Sequence, residues 1–222
     1  HLPGKVASLE IGRDASIRAV EAAAKDDNQI VVIPQRNPAT RDVNPRDLVE
    51  VGVLSEIVQV IKHSPGRFTA VVRFGRRVHI DGIVASEPFL IAAVSPLAAT
   101  SSVTAAELDA KARAARDHLA ILIADAHSGK DSKEKEGDKA ERSEGKRKED
   151  PRREETAREA LAALAAVTDP DMVVDHAVPY VDLERDELLG LLLETDPATR
   201  LDTVLVPLER RAAVLRLKGE IG

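Results

Sequence analysis

Leu48-Val49-Glu50-Val51-Gly52-Val53-Leu54-Ser55-Glu56-Ile57-Val58-Gln59-Val60-Ile61 is the stretch from which the rest of the chain is read. Its density of β-branched residues fits a pleated, half-buried surface, and it leads into a Ser64-Pro65-Gly66 turn, so it reads as the central strand of a β domain. Gly52 stands where a strand former is expected. An interior glycine marks a bulge or a close backbone approach, and the expectation here is a sharp bend. Gly52→Val, by forcing a side chain and a negative φ onto that bend, is expected to lower the melting temperature.

Beyond the turn, Phe68, Ala70, Val72 and Phe74 alternate with Arg67, Thr69, Val71 and Arg73, the clearest hairpin in the sequence. Gly75-Arg76-Arg77 reads as another turn, and residues 78–86 and 89–94 as two more strands punctuated by Pro88 and Pro96. Upstream, residues 6–11 read as a strand ended by Gly12. Asp14 is placed to cap a helix over 15–24 with Ile17, Val20 and Ala24 on one face. Asp26-Asp27-Asn28 is a turn into the apolar run Ile30-Val31-Val32-Ile33, and Asn37-Pro38 and Asn44-Pro45 bracket a polar loop. Several short strands and one early helix point to a small, bent β-sheet or partly closed barrel.

From Ser101 the apolar period changes to that of a helix. Ser101 or Ser102 is placed to cap a helix over 103–126, with Leu108, Ala112, Ala115, Leu119, Leu122 and Ile123 on its apolar side. Residues 128–150 are nearly all Lys, Arg, Asp, Glu, Gly or Ser, too polar to offset their ordering entropy, and are expected as a charged insertion, a mobile loop or a solvated helical extension. A helix over 152–167 follows. Asp169-Pro170 supplies a cap and first residue for the next one, which Pro179 ends. Asp182 is expected to cap residues 183–194, and Asp196-Pro197 to start a last helix striped by Leu201, Val204, Leu205, Leu208, Ala212 and Leu215, with a kink at Pro207. The expected fold class is α+β: an N-terminal β subdomain over 1–97, then a C-terminal helical bundle over 98–222 ending in a long helix, 197–222.

Composition narrows the function. The 222 residues, 43% hydrophobic with three Phe, one Tyr and no Trp, support an aliphatic core. No cysteine is available for a disulfide, a thiolate metal site or a thiol nucleophile. A net charge of −6 argues against nucleic acid and anionic membrane as partners, and no apolar run approaches a membrane span. His1-Leu2-Pro3-Gly4 has neither the basic start nor the apolar middle of a signal peptide and looks like a cut edge.

The motifs carry a family resemblance. Leu2-Pro3-Gly4, Leu9-Glu10-Ile11-Gly12-Arg13 and Ser16-Ile17-Arg18-Ala19-Val20 resemble the start of the N-terminal domain of Lon proteases. Glu50-Val51-Gly52-Val53 is similar to that domain's Glu-Val-Gly-Thr signature, with Val53 in place of Thr. Gly75-Arg76-Arg77-Val78, the segment from Glu87 to Val94, the Asp169-Pro170 helix start and the Pro179 to Leu193 region resemble its later segments. The family's usual first strand, ahead of a Phe-Pro-His triplet, is missing, and the charged segment is longer than the usual link.

The resemblance implies a PUA-like β subdomain and a non-catalytic, substrate-recognising domain of an ATP-dependent serine protease of the AAA+ type, with 197–222 a connecting helix truncated at its end. It implies a cytoplasmic, hexameric parent engaged in protein quality control, with unfolded, damaged or degron-bearing proteins as partners. ATP and Mg²⁺ would serve that parent, with no cofactor in this chain. A Walker A loop needs Gly-x-x-x-x-Gly-Lys-Ser/Thr, and neither Gly129-Lys130 nor Gly145-Lys146 satisfies it. Alternatives are a stand-alone adaptor or ligand-binding module and an RNA-binding β barrel.

No catalytic, cofactor or metal site is expected. His118 and His127, nine residues apart, fall on opposite faces of one helix, and no His-Glu-x-x-His or Gly-x-Ser-x-Gly pattern exists. Arg73, Arg76 and Arg77 could meet phosphate or an acidic partner, with solvated residues at a strand end as the stronger reading. Phe68, Phe74, Phe89 and Tyr180 are the substrate-contact candidates, because an aromatic exposed beside aliphatic residues captures apolar segments. For the three phenylalanines, core positions are the competing and stronger reading.

Overall fold

A single long strand is the spine of the β half. In the computed structural model, which describes residues 6–40, 43–64, 66–128 and 151–221, β4 (Arg67–Ala85) pairs antiparallel with β3 (Val51–Ser64) along one edge. Its other edge is shared end to end by β1 (Val6–Ile11), opposite Phe68 to Arg73, and β5 (Ile91–Pro96), opposite Val78 to Ala85. β2 (Gln29–Val32) completes the sheet on the far side of β3. The sheet is antiparallel and open rather than closed, which selects the bent-sheet form of the two the sequence left standing.

The period of 2 in the opening stretch is real. Val49, Val51, Val53, Ser55 and Ile57 are all buried while Glu50, Leu54 and Glu56 between them are less so, and the buried Ser55 hydroxyl is satisfied by the Val53 carbonyl at 3.0 Å. Gly52 is not the bend. It pairs in register with Val78, its φ is not positive, and a Cβ there would lie 2.7 Å from Val31 Cγ1, 3.2 Å from Ile33 Cγ1 and 3.3 Å from Ile80 Cδ1. The glycine makes room for neighbouring side chains.

The expected turn at Gly75-Arg76-Arg77 is likewise a correction, because β4 runs through it without reversing. Gly75 and Arg76 together oppose the single residue Leu54, a β-bulge, and a Cβ on Gly75 would meet the Leu54 carbonyl oxygen at 2.5 Å. The separate strand expected over 78–86 is therefore the continuation of β4. The real turn is the one at residue 66, where Gly66 takes φ 79°.

Helix α1 (Asp14–Ala23) buries Ile17 and Val20, whereas Ala24 is an exposed C-cap residue. Asp14 lies inside the helix and Arg13 occupies the N-cap without a side-chain cap bond; its guanidinium instead reaches Gln35 Oε1 at 3.0 Å.

The chain packs as two compact units, residues 1–100 with 185–195 and residues 101–184 with 196–222. The first unit thus includes a late segment, helix α5 (Arg185–Leu193), which the reading from sequence grouped with the helical half. Its anchor is Arg77, 8% exposed, whose guanidinium donates to the carbonyls of Leu192 at 2.9 Å and Glu194 at 2.5 Å. These carbonyls sit at the end of α5, where the last turn lacks intrahelical donors and carries the negative end of the helix dipole.

The second unit contains α2 (Ala105–Ser128), α3 (Pro151–Ala165), α4 (Pro170–Ala177) and α6 (Pro197–Ile221). The expected apolar face of α2 is buried at Ala112, Ala115, Leu119, Leu122 and Ile123, and the stripe of α6 at Leu201, Val204, Leu208 and Ala212. Neither Ser101 nor Ser102 caps α2. Thr104 and Glu107 do so reciprocally: the Glu107 N–H donates to Thr104 Oγ1 at 3.3 Å, and the Thr104 N–H to the Glu107 carboxylate at 2.9 Å. Asp169 and Asp196 cap α4 and α6 as expected, each accepting from the N–H two residues on at 2.9 Å. Asp182 is not a cap: its side chain is 98% exposed and α5 begins three residues later. Pro207 lies inside α6, which continues past it. Of the segment 128–150, all but Ser128 lies outside the described residues, as do Pro65 and Leu2-Pro3-Gly4.

Candidate functional site

The site begins in the polar loop between β2 and β3. Gln35 and Leu48 form a bridge, the Arg36 N–H donates to the Asp47 carbonyl at 2.8 Å, and the Val49 N–H to the Pro34 carbonyl at 3.2 Å, so the loop is closed at its base. At its tip Pro45–Asp47 forms a short 3-10 turn, with the Asn44 and Asp47 side chains and backbones capping one another. This folds Pro45 and Arg46 back beside Leu48 and Val49.

Across from them stand Ile80, Gly82 and Ile83 of β4. Together with Arg36 and Glu50 these residues line a pocket of about 320 Å³. Its walls are mostly aliphatic, and a Cβ on Gly82 would have nothing within 4 Å, so that side opens to solvent. Arg36 and Glu50 form an ion pair of 2.6 Å at the rim, both side chains more than half exposed. The hydrogen bond from Arg36 holds the Glu50 carboxyl below its usual range. Arg46 is exposed, and no ion pair or hydrogen bond of its guanidinium is found among the described residues. The rim thus carries one neutralised cation and one that is not.

Next to the pocket lies β5, whose residues Val94, Ala93 and Ala92 are the register partners of Ile80, Gly82 and Ile83. Among the described residues it pairs with β4 alone; it carries no charged residue and exposes Ile91 and Val94. Two bulges on β4 face it. Asp81 is the extra residue in one, tied by His79 Nδ1 at 3.0 Å and the Ser95 hydroxyl at 2.8 Å. Val84 is the extra residue in the other and is 71% exposed. Lysines, prolines or short length usually blunt such an edge; β5 has only its terminal Pro96.

The structure distributes the four aromatic candidates. Phe74 is 1% exposed and belongs to the core, so it offers no contact surface. Phe68 is half-buried at the hairpin end of β4, paired with Ile11 and with the Lys62 ammonium 5.0 Å from its ring centre. Phe89 is half-buried in the segment leading to β5, and so is the one phenylalanine near the uncharged edge in sequence. Tyr180, in the second unit, is half-buried, and burial raises its phenol pKa. The arginine cluster is divided by the bulge: Arg73 pairs with Glu56 at 2.6 Å, Arg76 is exposed, and Arg77 is buried on α5.

Sequence reasoning missed the pocket and the Val84, Ile91 and Val94 surface. The signals were present in the Asn44-x-x-Asp47 capping pair and in the absence of charge from Ile91 to Pro96, but the pocket joins residues more than thirty positions apart. Among the described residues, no group of acidic or His side chains is arranged to hold a metal ion, and no helix is long and apolar enough to cross a membrane.

Comparison with known proteins converges on one family. The model of the ATP-dependent protease La (LON) substrate-binding domain matches residues 1–210. A Lon protease from Desulfovibrio desulfuricans is 25% identical over 213 residues, covering 96% of this chain and 21% of that protein. A Lon protease from Azospirillum brasilense is 34% identical over 87 residues, covering 39% of this chain and 11% of its own length. The chain therefore spans about a fifth or less of these relatives. Among solved structures, the N-terminal domain of the Mycobacterium avium complex Lon protease shares the fold, with a TM-score of 0.59, 22% identity, and 94% of this chain and 91% of that one covered.

Proposed function

The chain belongs to the family of LON substrate-binding domains, and from that premise we propose that it captures exposed apolar segments of unfolded, damaged or degron-bearing proteins at the β4–β5 surface. The observation that supports this reading is the uncharged, exposed edge strand β5, set beside an aliphatic pocket and flanked by Val84. An unfolded segment supplies both complements to this surface: apolar side chains to fill the pocket, and unpaired backbone groups to extend the sheet by strand addition. Specificity for one sequence is not required, because backbone pairing is common to all polypeptides.

A single contact of this kind is weak. In the parent protein, a hexamer of such domains would multiply it by raising the effective concentration of the second and later contacts. ATP, Mg²⁺ and a Ser-Lys protease centre would act in AAA+ and protease modules beyond this chain, in the cytoplasm, with this domain passing substrate to them. Titration of ¹⁵N-labelled protein with an unfolded casein-like substrate tests the reading. Shifts are expected at Ile80 to Val84 and Ile91 to Val94; no shift there at high substrate concentration sinks direct recognition.

A further inference from the structure

The pocket carries a cation that the capture of apolar segments does not require. Leu48, Val49, Ile80 and Ile83 supply aliphatic walls, and Glu50 already answers Arg36 at 2.6 Å. Arg46 lines the same pocket, is exposed, and has no ion pair or hydrogen bond from its guanidinium among the described residues. Its backbone is held by the reciprocal capping of Asn44 and Asp47 around Pro45, so the side chain projects from a fixed base. An apolar pocket whose mouth carries one cation left over beside a neutralised pair is a site for a ligand bearing the opposite charge close to an apolar group.

Resting on the reading of the domain as a binder of polypeptides, we propose that this pocket receives the C-terminal residue of a polypeptide. An aliphatic side chain enters between Leu48 and Ile83, and the terminal α-carboxylate lies on the Arg46 guanidinium. Chain geometry favours the terminus over an internal acidic residue. In an extended segment the neighbouring side chain points to the opposite face, and the next on the same face is roughly 6.6 Å further along. A terminal residue carries its carboxylate and its side chain on one Cα, which matches a cation and an aliphatic wall lining one pocket. The guanidinium fork pairs with such a carboxylate through two parallel hydrogen bonds, which a lysine cannot reproduce.

The experiment uses three hexapeptides ending in leucine, with Ala before it unless stated, titrated into the ¹⁵N-labelled chain. One has a free C-terminus, one a C-terminal amide, and one an amide with Asp before the leucine. The free acid is expected to shift the amides of Arg46, Gly82 and Ile83 and to bind about tenfold more tightly than either amide, the effect of losing one charged hydrogen-bonding partner. Arg46→Ala is expected to abolish that preference without moving the melting temperature, and Arg46→Lys to restore only part of it. Equal binding of acid and amide, a preference that survives Arg46→Ala, or binding of the Asp peptide as tight as the free acid each overturns the proposal. If those results come while unfolded casein still shifts Val84 and Ile91, capture of apolar segments stands and the terminal carboxylate falls. If neither casein nor any peptide produces a shift, the broader reading falls and takes this one with it.

Discussion

Among the described residues each of the two units buries one arginine, and the two are held in different ways. In the β unit Arg77 reaches the carbonyls at the end of α5, joining residues 115 and 117 positions apart in the sequence. In the helical unit Arg200, with no exposed surface, donates to the carboxylates of Asp171 and of Asp175, the latter at 2.7 Å, and so pins α4 to α6. Asp175 is itself only 5% exposed. The first arrangement uses the cation to complete a helix terminus. The second balances buried charges, and it stabilises the fold only while every partner remains. The two units therefore differ in how they respond to the loss of a partner.

The sharpest test is Arg200→Ala, which takes the cation 2.7 Å away from the buried Asp175 carboxylate and is expected to cost about 3–5 kcal/mol in urea unfolding. Arg77→Ala leaves carbonyls that water can reach as α5 loosens, so a smaller loss of about 1.5–3 kcal/mol is expected, with faster amide exchange over residues 190–195. Should Arg77→Ala prove the more damaging of the two, the contrast between carbonyl and carboxylate partners is wrong. Gly52→Val tests packing in the β unit without touching charge: the added side chain overlaps Val31 and is expected to cost about 1–3 kcal/mol. Gly82→Ala, at a position open to solvent, is expected to stay within about 0.5 kcal/mol of the parent.

The smallest effect belongs to the cap of α6. The Ser102 hydroxyl, aided by the Ala198 N–H and the Thr199 hydroxyl, holds the Asp196 carboxyl down at about 2. A depressed carboxyl contributes stability that is fully present above its unfolded value near 3.8 and is lost as pH falls toward 2. Ser102→Ala is expected to raise the Asp196 pKa and to shift the acid limb of unfolding to higher pH. A carboxyl ¹³C titration reads the first, and acid unfolding followed by circular dichroism reads the second. An unmoved Asp196 would place the cap's stabilisation elsewhere.

Much of this fold is legible in the sequence. Asp169-Pro170 and Asp196-Pro197 mark real helix starts, because a cap and an N1 proline act within one turn of chain. The stripes of α2 and α6 are buried as the helical period predicts except at Leu108, Leu205 and Leu215, which are half-buried. Glycines were harder. Gly52 and Gly75 both interrupt β-rich sequence, yet one avoids Val31 and the other the Leu54 carbonyl. The cause lies on the neighbouring strand in each case, and nothing adjacent in sequence distinguishes a bulge from a close approach or a turn. Phe74 posed the same problem, since alternation shows that a residue faces one side of a sheet without showing which side is covered.

The amino-acid sequence by itself determined the α+β class, the hairpin at residue 66, the caps of α4 and α6 and the family, because each rests on periodicity, local backbone chemistry or an ordered set of short motifs. The tertiary structure decided that α5 belongs with the sheet through Arg77, that β4 passes unbroken through Gly75, and that Arg46 and Ile83 line one pocket. The physical reason is the same throughout: these depend on which distant backbone supplies a carbonyl, a wall or an obstruction, and that is known only once the strands and helices have chosen their neighbours.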